Sequence, residues 1–251
     1  MTGSTHTAAR VRRVMAAGSR GVTIELDLRL EARPGQFVMV WLPRVNEKPF
    51  SLVDDSPVTL TVVRVGPFTE RMQHLQPGDV LYLRGPLGNG FSLQGERPLL
   101  VGGGCGAAPL AFLSQRLLGA GRAVTVALGA RTGSELLLGE RFRQQGARLL
   151  VSTDDGSEGE QGLVTAIAER QLASQGHDYV YACGPEPMLE RVSALCRRYG
   201  VAGELSWEAY MRCGIGVCGS CDRGDGLLVC RDGPVFSAER SDVEHWRRRN
   251  V

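Results

Sequence analysis

Pro98-Leu99-Leu100-Val101-Gly102-Gly103-Gly104-Cys105-Gly106-Ala107-Ala108-Pro109-Leu110 is the stretch that decides the fold of this chain. Its first four residues read as a buried strand. They enter a turn in which four of five residues are glycine, and a helical stretch follows from Ala107 to Leu118. Strand, glycine turn and helix open an α/β unit. Toward the C-terminus the same rhythm continues. Strands are predicted at Ala123–Leu128, Leu149–Ser152 and Asp178–Ala182, and helices at Val164–Ala173 and Pro187–Tyr199. Strands that alternate with helices require crossovers, and hence a doubly wound parallel sheet.

Toward the N-terminus the pattern changes to short β-rich runs separated by turn chemistry. Thr23–Leu30 alternates apolar and polar residues, Phe37–Leu42 follows Pro34-Gly35, Val58–Val65 is β-branched, and Val80–Leu83 follows Pro77-Gly78-Asp79. This spacing predicts a small antiparallel barrel or sandwich, with one short helix within Phe68–Leu75. The fold class is therefore α+β and multidomain. Residues 1–95 form a β domain, residues 96–203 a doubly wound α/β domain, and residues 204–251 a small cysteine-rich lobe. Residues 1–24 carry several Arg and no acid, a composition loosely like that of a transit peptide. They have no apolar segment of the secretory kind. The alternation that follows argues that this is already folded chain.

Composition removes several functions. With 251 residues the chain buries a core without disulfide help. Its 29 Lys and Arg against 27 Asp and Glu leave a net charge of +2, so the basic excess that nucleic-acid binding needs is missing. No apolar run approaches the roughly 20 residues that span a bilayer. The basic tail Trp246-Arg247-Arg248-Arg249 reads as solvated. His6, His74, His177 and His245 stand in no ligand-like spacing, and neither a Ser-His-Asp triad nor a carboxylate pair marks a catalytic residue of the chain's own.

There are seven cysteines, and Cys213, Cys218, Cys221 and Cys230 fall in a C-x4-C-x2-C-x8-C pattern. An odd number with a local cluster suits metal binding in a reducing compartment, the cytoplasm. C-x4-C-x2-C with a more distant fourth Cys is the spacing of plant-type [2Fe–2S] proteins, and Gly214, Gly216 and Gly219 leave amides free to face sulfur. A structural zinc site is the other reading; it commonly pairs two short knuckles, whereas this chain has one. Of the remaining three, Cys196 lies on an apolar helix face and reads as core, Cys105 in the glycine turn stays open, and Cys183 ends a parallel strand at the ligand-binding edge.

The glycine turn can bring amides and a helix N-terminus to a phosphate, or can be a tight structural turn. Gly102, Gly104 and Ala107 satisfy G-x-G-x-x-A. The next strand, however, ends in Leu128-Gly129-Ala130-Arg131, without the acid that a Rossmann dehydrogenase places on ribose. A different dinucleotide-binding α/β domain is expected.

Several motifs occur together and in order: Lys48-Pro49-Phe50-Ser51; Gly85-Pro86-Leu87-Gly88-Asn89-Gly90-Phe91; the turn at Gly102; Cys183-Gly184-Pro185 with Met188; and Ser206-x-Glu208-x-x-Met211-x-Cys213-Gly214-Ile215-Gly216-x-Cys218-x-x-Cys221. In this combination the chain resembles the ferredoxin–NADP reductase-like flavoproteins. Within them it looks like the electron-transfer subunits of class 1B dihydroorotate dehydrogenases, and the resemblance spans nearly the whole chain. It implies an FAD-binding barrel, an NAD-binding α/β domain and a C-terminal [2Fe–2S] lobe. It also implies FAD contacts from Lys48, Pro49, Phe50, Ser51, Val63, Arg64, Phe68 and Thr69. The nucleotide would meet Gly102, Gly103, Gly104, Gly106, Cys183, Gly184, Pro185 and Met188, and the cluster would be held by Cys213, Cys218, Cys221 and Cys230. The family usually has Arg at the position of Lys48, the only lysine of the chain, and Gly-Thr where Phe68-Thr69 stands. Arg to Lys keeps the charge and loses the planar fork.

Asp154 and Asp155 follow the third α/β strand, where NADP-specific relatives carry basic residues. They favour NAD, with Arg131 as the counter-argument. Glu208 reads as a surface acid. By the same resemblance the partner is an FMN-containing catalytic dihydroorotate dehydrogenase subunit in a heterotetramer of two copies each, serving pyrimidine synthesis. Related subunits serve hydrogenases, sulfur reductases or transhydrogenases instead, and a zinc-stabilised binding module is the rival of another class.

Overall fold

The computed structural model describes residues 5–240. Six antiparallel strands close the N-terminal barrel: β1 (Thr7–Ala17), β2 (Gly21–Leu26), β3 (Phe37–Leu42), β4 (Asn46–Asp55), β5 (Val58–Val63) and β6 (Val80–Leu87), in the order β1-β2-β5-β4-β3-β6. A short helix, α1 (Pro67–Gln73), covers one end. Inward-facing residues such as Val11, Ile24, Leu26, Val38, Val40, Leu60 and Leu81 fill the barrel, while the opposite-facing Phe37 and Met39 of β3 are buried against a second apolar cluster. Two of its strands have no counterpart in the sequence reading. In β1 the buried positions Ala9, Val11 and Ala17 are small or widely spaced among exposed Arg10, Arg12 and Arg13, so its apolar face is too sparse to register as a strand. In β4 the residues Lys48–Ser51 belong to a ladder with β3, Lys48 opposite Val40 and Phe50 opposite Val38.

The second unit is a seven-stranded sheet built from β7 (Pro98–Gly103), β8 (Thr125–Ala130), β9 (Arg148–Thr153), β10 (Glu160–Gln161), β11 (Tyr179–Cys183), β12 (Gly203–Ser206) and β13 (Val235–Ser237). Their order is β10-β9-β8-β7-β11-β12-β13, parallel except for the last strand. The helices α2 (Ala107–Gly119), α3 (Gly139–Gln145), α4 (Val164–Ala173) and α5 (Glu186–Tyr199) cover its faces. The expected alternation is present, with α3 added. The cysteine-rich segment is strung between two strands of this sheet. It leaves from β12, forms the short helix α6 (Val229–Asp232) and returns as β13. The basic tail at Trp246–Arg249, His245 and the last residues of the expected 204–251 lobe lie outside the described residues.

The barrel and the sheet are tied together. Phe112 of α2 is fully buried within the barrel's apolar cluster. Arg116 of α2 pairs with Asp55 at 2.9 Å, and Arg141 of α3 pairs with Asp54 at 2.6 Å, both carboxylates lying at the end of β4. No described helix is long and apolar enough to cross a membrane.

Candidate functional site

A cleft of about 730 Å³ opens between the two units, at the carboxyl ends of β7, β8 and β11. Open α/β sheets bind ligands at this edge. Of the residues singled out in the sequence, Val63, Gly103, Gly104, Pro185 and Met188 line it. The barrel contributes the β1–β2 turn around Arg20, and the end of β8 contributes Gly129 and Ala130, with Arg131 just after it.

The glycine turn divides by role. A Cβ on Gly106 would stand 1.9 Å from the Cys183 carbonyl oxygen, so this glycine exists to let two backbones cross. Gly102 is closed in by Leu128 and Leu110, whereas Gly104 faces open space on the cleft. Cys183 is buried at the end of β11, level with Gly102 on one side and Ser206 on the other. Burial raises its thiol well above the usual range, with a smaller push from Glu208. Cys105 on the turn is raised to about 11, by burial first and Glu208 second. The charge of Glu208 thus reaches both thiols at the strand ends. Glu208 is exposed, the surface acid the sequence suggested, while partial desolvation of its carboxyl holds it above the ordinary value. Gly184 connects Cys183 to Pro185, and a Cβ on it would meet Met188 and Gly103.

One group of charges in the cleft was invisible as a unit in the sequence. The Arg131 guanidinium donates to both oxygens of Glu135, at 2.9 and 2.7 Å. Asp154 adds to the field on Arg131, and all three residues line the cleft. The basic residue that argued for NADP is thereby engaged by an acid.

On the barrel, Lys48, Pro49, Phe50 and Ser51 form a half-buried run of β4. The Phe50 ring stacks on Phe68 with centroids 6.0 Å apart and planes 26° apart, an apolar shelf of the kind a flat heterocycle can share. Thr69 Oγ1 accepts from the Val65 and Gly66 amides and donates to the Gly66 carbonyl. Its hydroxyl thus holds the start of α1, leaving the residue's backbone and methyl for any ligand. The Arg64 carbonyl accepts from Arg20 Nη2 at 3.2 Å, tying the two turns at the cleft rim. The Lys48 ammonium lies 5.3 Å from the Tyr210 ring centroid, which connects the FAD-type motif to the segment leading into the cysteines.

The four cysteines fall into two pairs. Cys213 and Cys218 are in side-chain contact, and the sulfurs of Cys221 and Cys230 are 3.3 Å apart. Backbone amides point at these sulfurs: Gly216 N at Cys230 (3.1 Å), Val217 N and Cys218 N at Cys213 (3.3 and 3.4 Å), and Cys230 N at Cys221 (3.4 Å). Two cysteine pairs wrapped by N–H donors fit a two-iron cluster, one pair per iron. A single zinc would draw the sulfurs into one tetrahedron. Hydrogen bonds from Ser220, then Cys213, bring the Cys218 thiol down to about 6. Burial, then Cys221, pushes Cys230 up to about 12, so a metal bound here would have to displace its proton.

The cysteine loop is seated on the barrel. Gly214 has φ +69°, and a Cβ there would meet Met39 of β3 at 2.9 Å, so glycine is required on both counts. Asn89 Nδ2 donates to the Asp232 carbonyl at 3.0 Å, and the Asn89 amide donates to Gly233 at 2.6 Å. On the other side Arg223 is sandwiched between Trp207 and Phe236, 4.7 Å from each ring.

A closed barrel joined to a doubly wound nucleotide-binding sheet, with paired cysteines seated on the barrel wall, defines an iron–sulfur flavoprotein reductase of the ferredoxin–NADP reductase type. Comparison with known proteins narrows this class. Residues 208–242 match the iron-sulfur cluster binding domain of dihydroorotate dehydrogenase B, and residues 100–194 match the oxidoreductase NAD-binding domain. A protein of Methanopyrus kandleri is 46% identical over 223 residues, which is 86% of this chain and 85% of that one. A protein of Thermococcus kodakarensis is 47% identical over 212 residues, 84% and 87% of the two chains. Both carry the name "Probable dihydroorotate dehydrogenase B (NAD(+)), electron transfer subunit". Among solved structures, a chain of the NADH-dependent reduced ferredoxin-NADP oxidoreductase superposes with a TM-score of 0.83 at 31% identity, covering 95% of this chain and 90% of that one. The chain belongs to the family of dihydroorotate dehydrogenase B electron transfer subunits.

Proposed function

We propose that the chain carries electrons from a catalytic dihydroorotate dehydrogenase subunit through a [2Fe–2S] cluster and FAD to NAD+, in the cytoplasm and in the service of pyrimidine synthesis. The observation that carries this reading is the placement of the paired cysteines directly on the barrel that bears Lys48-Pro49-Phe50-Ser51. When bound, the flavin and the cluster supply the exchange between two-electron and one-electron chemistry, and the protein supplies distance, orientation and electrostatics.

Each site has its residues. Cys213 and Cys218 hold one iron, Cys221 and Cys230 the other. Lys48 offers charge to the FAD phosphates, and Phe50 and Ser51 lie against the flavin, with Pro49, Val63, Arg64, Phe68 and Thr69 around it. NAD enters the cleft over Gly103 and Gly104, with Pro185 and Met188 beneath it. Gly102, Gly106, Cys183 and Gly184 act one layer deeper, by shaping the strand ends that carry those contacts.

The partner is an FMN-bearing dehydrogenase subunit, assembled as two copies of each chain. Its contact surface is the cysteine loop, where Ile215 and Val217 are left exposed at 48% and 79% beside exposed Tyr210. The solved reductase at 31% identity supports a second reading, in which the same electron path serves a transhydrogenase-type partner.

Anaerobically purified protein is expected to show flavin absorption bands over a red-brown iron–sulfur envelope. After dithionite it should give the EPR signal of a reduced two-iron cluster, and it should co-purify with its dehydrogenase partner. Colourless protein containing zinc would overturn the reading.

A further inference from the structure

The side chain of Arg84, on β6, is 9% exposed and sits between the barrel and the cysteine loop. Its Nε donates to Glu47 Oε1 at 2.6 Å and its Nη2 to Glu47 Oε2 at 2.7 Å. The same Nη2 donates to the backbone carbonyl of Cys213 at 2.7 Å. Glu47 precedes Lys48 on β4, and its Oε1 is also 2.8 Å from His6 Nε2. One guanidinium therefore joins the first cysteine of the loop to the strand that carries the FAD-type motif. A bidentate arginine–carboxylate pair fixes orientation as well as charge.

The charge matters as well as the clamp. A cluster held by four thiolates is net negative and becomes more so on reduction, so a nearby cation favours the reduced form and a nearby anion opposes it. Other cations lie near the cysteines but act more weakly. Arg231 is 56% exposed, where solvent screens it, and is paired with Asp232. Arg223 is buried, but its charge partners are Asp225 and Glu186. Arg84 combines burial with direct contact to a residue of the loop.

We propose that Arg84, clamped by Glu47, is a positioning residue for the cluster: its guanidinium fastens the Cys213 carbonyl to the barrel and raises the cluster's midpoint potential, while Glu47 lowers it. The inference rests on the reading that the four cysteines hold a [2Fe–2S] cluster. A pair that only staples the fold would respond to loss of either member in the same direction. An electrostatic pair responds in opposite directions.

The test is an EPR-monitored redox titration of the purified flavoprotein with Arg84→Met, Arg84→Lys and Glu47→Gln, alongside iron analysis. Arg84→Met is expected to lower the midpoint by an amount equivalent to about a tenfold change in the reduction equilibrium, 59 mV for one electron. Arg84→Lys should restore most of that shift while broadening the signal, because charge returns without the fork. Glu47→Gln should raise the midpoint, and it remains a test should Arg84→Met fail to fold. Midpoints that ignore the substitutions, or that move the same way for Arg84→Met and Glu47→Gln, would overturn the inference alone. Wild-type protein without a two-iron signal would overturn the cluster reading and this inference with it.

Discussion

Arg131 shows how a single residue can mislead when read alone and inform when seen with its neighbours. In the sequence it argues for NADP, because a cation at a strand end suits a 2′-phosphate. In the structure both arms of its guanidinium are held by Glu135, and Asp154 stands nearby in the same cleft. A 2′-phosphate would have to displace one carboxylate and approach another, whereas the hydroxyl of NAD does not. Glu135→Gln combined with Asp154→Asn should therefore lower the Kd for NADP+ by about tenfold, the equivalent of roughly 1.4 kcal/mol, and change that for NAD+ far less. Calorimetric titration of both nucleotides checks this, and equal changes for the two would refute the selectivity argument. Asp154 was legible because it follows a predictable strand. Glu135 was not, since a glutamate four residues after an arginine reads as an ordinary surface pair.

Among the elements, the sequence was most informative where chemistry and periodicity coincide. The helix at Val164–Ala173 and the strand at Phe37–Leu42 have the expected bounds, and the glycine turn does join a strand to a helix. What escaped were elements stabilised by tertiary pairing rather than local pattern. β1 has three arginines breaking up its apolar face and is held by ladders to β2 and β6. β4 contains a proline and is held through β3. β12 and β13 are short strands that exist because a sheet is already there to receive them. The role of α2 was likewise hidden. Its helical pattern was clear, but Phe112 leaves the α/β domain's own core and enters the barrel's. Phe112→Ala should cost about 3–5 kcal/mol, the usual price of a fully buried aromatic cavity. The loss should appear in one urea transition shared by barrel and sheet; two separated transitions, with only one displaced, would show that α2 does not couple them.

At the scale of the molecule, the arrangement separates two tasks that share a barrel. The cleft proposed for the nucleotide lies between the barrel and the carboxyl edge of the sheet, and its walls come from the β1–β2 turn, β7, β8 and the start of α5. The cysteine loop is seated elsewhere on the barrel, against Met39, Leu87 and Arg84, and none of its four cysteines lines the cleft. Loss of the cluster should therefore leave the nucleotide side standing. Cys218 is the cysteine to change, because it is exposed and its removal opens no core cavity, unlike Cys221 or Cys230, which are buried. Cys218→Ser is expected to abolish the two-iron EPR signal and to stop electron passage from the dehydrogenase partner to NAD+, while FAD content and NADH oxidation by a small dye persist at better than half of wild type. The dye takes electrons at the flavin and has no need of the cluster. Parallel loss of both activities in a protein that still binds FAD would mean that the loop also shapes the cleft, and the separation read from the fold would be wrong.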